Sequence, residues 1–156
     1  MACSRWMALI TAALMGMAGV AVADQPPNDR DALVGLTRAN AVFDVRVPDN
    51  DKLVFNLHLI EETLDGMLAQ GVKPQLVVAF RGPGVKLLTH PHVDPDARDL
   101  FKSLQARGVR FEACSVAMRT FKADPSALIP EVKLVANVFN SFIGYQSKGY
   151  ALIAIN

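Results

Sequence analysis

The chain has 156 residues, a formal net charge of +1 and 51% hydrophobic residues. That fits one domain able to bury about two-thirds of the surface its unfolded chain exposes. Its basic residues are scattered with no aromatic-interleaved patch, so the electrostatic footprint of nucleic-acid or anionic-membrane binding is missing.

Residues 1–23 read as a secretory signal peptide. Arg5 supplies the positive start, Trp6 to Val20 is an uncharged apolar run, and Ala21-Val22-Ala23 is a small-x-small cleavage site before Asp24. The run is short for a membrane span. The expected product is therefore periplasmic or secreted, with no membrane anchor once the signal is removed. Cys3 leaves with that peptide. So does Arg5, the one charge before Asp24, which makes the mature chain neutral.

Residues 24–40, polar and proline-bearing over Asp24 to Asp31, read as a flexible leader before a domain over 41–156. Ala41 to Val47 alternates apolar and polar residues, the signal of a strand, and Pro48-Asp49-Asn50-Asp51 breaks it. Lys52 to Gln70 sets Leu53, Leu57, Ile60, Leu64, Met67 and Leu68 at helical spacing, with Gly71 as the stop. Gln75 to Phe80 is a nearly continuous apolar run, expected of a strand buried on both faces. Arg81-Gly82-Pro83-Gly84 predicts a tight turn.

A second helix is predicted over Asp94 to Arg107, with Ala97, Leu100, Phe101 and Leu104 on one stripe. Val109 to Cys114 predicts the third strand and Ser115 to Arg119 a following helix. Pro125 to Ile129 suits a short helical turn, and Val132 to Val135 a fourth strand. Val138, Phe139, Phe142 and Ile143 mark another helix, stopped near Gly149. Tyr150 to Ile155 is expected to be a last buried strand. Alternation of strand and helix throughout predicts an α/β fold: a mainly parallel sheet with helices on both faces. Ligands of such sheets bind beyond the carboxyl ends of the strands.

Cys114 stands on that rim. It is the one cysteine of the mature chain, so it has no intramolecular disulfide partner. At a strand end and a helix start it faces unpaired N–H groups and a positive dipole, which favour the thiolate, the reactive form. The dipole contributes only about 0.3–1 kcal/mol, so a strong nucleophile there needs a cation as well. Arg81, ending the neighbouring strand, is the candidate, with a solvated loop arginine as the competing reading. Gly82 and Gly84 suit backbone approach to an anion or a sulfur, although a turn needs no ligand to contain them. Ser115, at the helix start, completes the candidate binding residues.

The order of elements and several phrases resemble the DsrE/DsrF-like sulfur-relay family, in its small exported branch. The matching phrases are Val42-Phe43-Asp44-Val45, Asn56-Leu57, Phe80 to Leu88, Val109 to Met118, and Gln146 to Ile153. The resemblance covers about Ala41 to Asn156. It implies a three-layer α/β/α sandwich with a five-stranded parallel sheet, commonly assembled as homo-oligomers, trimers or hexamers. In relay members a cysteine after the third strand carries a persulfide between a sulfur donor and an acceptor, and Cys114 falls on that position. Relay members work in the cytoplasm, however, whereas this chain carries an export signal.

Two functions follow from this reading. One is an exported sulfur-handling protein bearing sulfane sulfur on Cys114, with a partner protein or small thiol as donor and acceptor. The alternative is a non-enzymatic oligomeric binding module with a passive cysteine, because free cysteine is often simply buried. No cofactor is expected. His90 and His92, two apart in a loop, would offer a metal two imidazoles beside Cys114, but no fourth ligand is evident and no metal site is assigned. The phosphate-loop and GxGxxG patterns are absent.

Overall fold

The computed structural model describes residues 27–156, so the signal peptide expected over residues 1–23 lies outside the described residues. Five strands form one sheet: β1 (Arg38–Val45), β2 (Lys73–Phe80), β3 (Arg110–Cys114), β4 (Val132–Val135) and β5 (Ala151–Ile155). Their order is β4-β3-β2-β1-β5 and every pairing is parallel. The helices are α1 (Arg30–Leu33), α2 (Asn50–Ala69), α3 (Pro95–Ala106), α4 (Ser115–Thr120) and α5 (Val138–Ser147). Parallel crossovers step from β1 to β2 to β3 in one direction, as expected where α2 and α3 lie side by side on one face. The return from β4 to β5 runs the other way and puts α5 on the opposite face. The α/β sandwich expected from the sequence is the fold of the chain.

Capping residues explain where the long helices begin. The Asp49 carboxylate accepts from the Lys52 N–H at 2.8 Å, and Asp94 accepts from the Asp96 and Ala97 N–H groups. Asn137 does the same for α5, accepting from the Phe139 N–H at 3.0 Å. Leu53, Leu57, Ile60 and Leu64 of α2 and Ala97, Leu100, Phe101 and Leu104 of α3 are buried as their spacing requires. Leu68, assigned to the same stripe of α2, is exposed in the last turn.

Strand register decides which side chains share a face. Asp44 of β1 lies opposite Ala79 of β2, Ala79 opposite Glu112 of β3, and Glu112 opposite Lys133 of β4. These residues point to the same side of the sheet. It is the α5 side, because the Tyr145 hydroxyl of α5 donates to Glu112 Oε1 at 2.7 Å. The α2/α3 side is apolar, with the rings of Phe80, Phe101 and Phe111 in edge contact.

Four expectations from the sequence are corrected here. β1 begins at Arg38, inside the stretch read as leader, because three further rungs pair Arg38, Ala39 and Asn40 with Lys73, Pro74 and Gln75. It ends at Val45, although Val47 beyond it remains buried. The segment after β2 is a seven-residue 3₁₀ helix, Gly82–Leu88, and the tight turn at Gly82-Pro83-Gly84 is only its first part. The last strand is not buried. It is the sheet edge beside β1, and Ala151 to Ala154 are exposed, Leu152 and Ile153 among them. An apolar run signals burial only where something covers it, and among the described residues nothing pairs with the outer side of β5.

Candidate functional site

A cavity of about 320 Å³ opens at the carboxyl ends of β2 and β3, between the starts of α4 and α5. Arg81 and Gly82 line it from one side, Val116, Ala117 and Phe121 from the α4 segment, and Asn137, Val138 and Phe139 from α5. Cys114 lines it as well. The thiol-bearing residue is only 4% exposed, and it lines this cavity from the end of β3. Val116 and Phe139 are large apolar residues left exposed at the site.

Arg81 is held from two directions. Its Nε and Nη2 each donate to one oxygen of the Asp44 carboxylate, both at 2.7 Å, and its guanidinium lies 5.3 Å from the centre of the Phe139 ring. The hydrogen bonds to Asp44 raise the Arg81 pKa above its ordinary value; partial burial opposes this, while the charges of Asp44 and Cys114 add to it. Arg81 is therefore a permanent cation, but one whose charge is matched by Asp44. Arg81, the cation proposed from the sequence, lines the same cavity as Cys114, and it comes with its own counter-ion.

The other candidates separate. Gly82 takes φ +68°, in the left-handed region that favours glycine, and lines the cavity. Gly84 does not line it. A Cβ at Gly84 would come within 2.4 Å of the Val47 carbonyl oxygen, so this glycine exists for a close passage of two backbones. Ser115 also stays outside the cavity lining, and its Oγ accepts from Arg119 at 3.0 Å. His90 and His92 are exposed, and among the described residues no three His, Cys, Asp or Glu side chains converge on a metal-sized site.

Three contributors were not singled out from the sequence: Asp44, Asn137 and Phe139. Asp44 was legible in principle, as an acidic residue inside the apolar phrase Ala41-Val42-Phe43-Asp44-Val45. Read as alternation it implies a solvated face. In a strand with neighbours on both sides it is a buried carboxylate, which must find a partner. Glu112 is the same case one strand beyond β2. It takes part in a second cavity of about 290 Å³, lined also by Gln105, Arg110, Glu131, Lys133 and Tyr145. Burial chiefly, and the hydrogen bond to Glu112 next, push the Tyr145 phenol up to about 12.

A model of the DsrE/DsrF-like family matches residues 40–155. No curated protein matches the sequence. Among solved structures, a protein of unknown function from Methanobacterium thermoautotrophicum superposes with a TM-score of 0.64 at 21% identity, covering 75% of this chain and 99% of its own. A conserved protein of unknown function from Bacteroides thetaiotaomicron gives 0.57 at 19% identity, covering 74% of this chain and 94% of its own. At these identities the likeness is one of fold.

Proposed function

Because the chain belongs to the DsrE/DsrF-like family, whose membership suggests a sulfur-relay type of role, we propose that it is an exported sulfur carrier that holds sulfane sulfur as a persulfide on Cys114. The observation that carries this reading is the cavity that leads to Cys114 at the carboxyl end of β3, where open parallel sheets place their ligands. The Cys114 thiolate attacks the outer sulfur of a persulfide R–S–SH. A new S–S bond forms between Cys114 and that sulfur, the S–S bond joining it to the inner sulfur breaks, and R–S⁻ departs, leaving Cys114–S–SH. No external oxidant or reductant is consumed, and an acceptor thiolate removes the sulfur by the same step in reverse. With one cysteine in the mature chain, that acceptor belongs to a partner protein or a small thiol.

Mass spectrometry of the mature protein after treatment with a persulfide tests the proposal. A gain of one sulfur atom on Cys114, removed by a reducing thiol and absent from Cys114→Ser, is expected. The same gain in Cys114→Ser, or none in either protein, overturns it.

The burial of Cys114 at 4% exposure favours a second reading, an oligomeric binding module with a passive cysteine. Full retention of assembly and cellular effect in Cys114→Ala would decide for it. Both readings include a homo-oligomer, a trimer or hexamer, supported by the uncovered apolar edge of β5 and by exposed Ile143 on α5. Export is part of the same proposal. Its support is the sequence of residues 1–23, and amino-terminal sequencing of the exported protein should begin at Asp24.

A further inference from the structure

What enters the Cys114 cavity depends on its charge, and this inference rests on the persulfide-carrying reading above. Apart from the Cys114 thiolate that the carrier reading requires, Arg81 is the one charged residue lining the cavity. Both hydrogen bonds from its Nε and Nη2 go to Asp44, a residue 7% exposed, and Phe139 covers the guanidinium from another side. The pair is neutral in sum. The rest of the wall is chiefly apolar: Val116, Ala117, Phe121, Val138 and Phe139. An oxyanion donor would leave its water here and meet no unmatched positive charge in return. An uncharged donor with an apolar group loses little hydration and gains contact with the wall.

We propose that Asp44 is a specificity-determining residue: by neutralising Arg81 it makes this cavity select uncharged, apolar hydropersulfides over anionic sulfane-sulfur donors. The two donor classes differ in what leaves. From an aryl or alkyl hydropersulfide, Cys114–S⁻ takes the outer sulfur and releases the apolar thiolate. From thiosulfate it takes the same kind of sulfur and releases sulfite, leaving Cys114–S–S⁻, so three negative charges cluster at the site during transfer. Arg81 could offset only one of them, and its charge is already matched by Asp44.

The test compares rates of sulfur gain on Cys114 from benzyl hydropersulfide, freshly released from a precursor, and from thiosulfate. Cys114→Ser serves as the blank. The wild-type protein should prefer the benzyl donor. In Asp44→Asn the matched charge is lost, and the preference should shift toward thiosulfate by about tenfold or more, as one unscreened charge at contact distance implies. The double variant Asp44→Asn/Arg81→Met removes both charges and should restore the wild-type preference, which separates charge from damage to the wall. A wild-type protein that prefers thiosulfate overturns the inference, whether or not the variants fold. So does an unchanged ratio in folded Asp44→Asn. Either result leaves the carrier reading standing, whereas failure of both donors to load Cys114 in the wild-type protein overturns the carrier reading itself.

Discussion

Arg81 and Asp44, 37 residues apart in the chain, meet through two 2.7 Å hydrogen bonds at the end of adjacent strands β2 and β1. The Asp44 side chain is 9% exposed and that of Arg81 is 24% exposed, so the two members are not equally replaceable. Removing Arg81 strands a nearly buried carboxylate, whereas removing the charge of Asp44 leaves a guanidinium that water still partly reaches. Arg81→Met should therefore cost about 3–5 kcal/mol, the range for breaking a buried pair. Asp44→Asn should cost less, on the order of 1–3 kcal/mol. Urea unfolding measures both. Equal losses would show that the pair is solvated and its burial energetically irrelevant.

The two glycines after β2 separate turn geometry from close packing. Gly82 needs only its positive φ, and nothing stands within 4 Å of a Cβ built on it. Gly82→Ala should cost about 1–2 kcal/mol from the left-handed backbone alone. Gly84 has an ordinary φ, but its Cβ would strike the Val47 carbonyl, and both sides of that contact are main chain. Gly84→Ala should cost more, about 3 kcal/mol or above, because backbone must move. A reversed order in urea midpoints would contradict this account.

Much of the architecture was readable because helix stripes and strand runs are local signals. The buried positions of α3 follow from the spacing of Ala97, Leu100, Phe101 and Leu104 alone. What could not be read locally was the order of strands. Asp44 and Leu152 lie on neighbouring strands, yet the polar residue is buried and the apolar one exposed. The cause is that β1 has neighbours on both sides and β5 on one. Cys114 and Arg81 could be placed at strand ends from the sequence because strand ends are local features. Their joint setting was not, since Asp44 and Phe139 reach them from β1 and α5, distant in sequence. The same limit hid the role of Asn137: capping a helix is a local property, but lining the cavity of Cys114 is a tertiary one.

Tyr145 provides a pH test of the buried polar row. Its phenol is raised to about 12 by burial first and by Glu112 second. A raised folded pKa stabilises the protonated form. That contribution is fully present below the ordinary tyrosine value near 10 and is lost as pH rises through about 12. The chain has two tyrosines, so Tyr150→Phe isolates this one. Ultraviolet titration of folded Tyr150→Phe should show phenolate appearing near 12, not 10. A midpoint near 10 in the folded protein would show that Tyr145 is open to water and that its bond to Glu112 carries no weight.

The uncovered edge predicts how assembly can be broken. Leu152 and Ile153 point to opposite faces of β5 and are 43% and 41% exposed. A lysine on this strand carries a charge that pairing would have to bury, the device by which natural edges resist association. If copies of the chain meet along β5, Ile153→Lys should shift the mass seen by light scattering toward the monomer with little loss of monomer stability. An oligomer unchanged by Ile153→Lys would place the contact elsewhere, with exposed Ile143 on α5 the next position to change.

Access to Cys114 is the last and most direct test. Phe139 is 53% exposed, lines the cavity and covers the guanidinium of Arg81, while Cys114 itself is nearly enclosed. Phe139→Ala removes a wall and a cation–π contact worth about 0.5–1 kcal/mol, leaving the thiol and its strand in place. Alkylation by small and bulky uncharged reagents, followed at one pH, then reports the opening. The bulky reagent should gain several-fold more from Phe139→Ala than the small one, since only its passage is limited by that ring. Equal gains would point to a general loosening of the fold. No gain for either would mean that the thiol is reached by a route that does not pass Phe139, and the cavity would lose its claim to be the entrance.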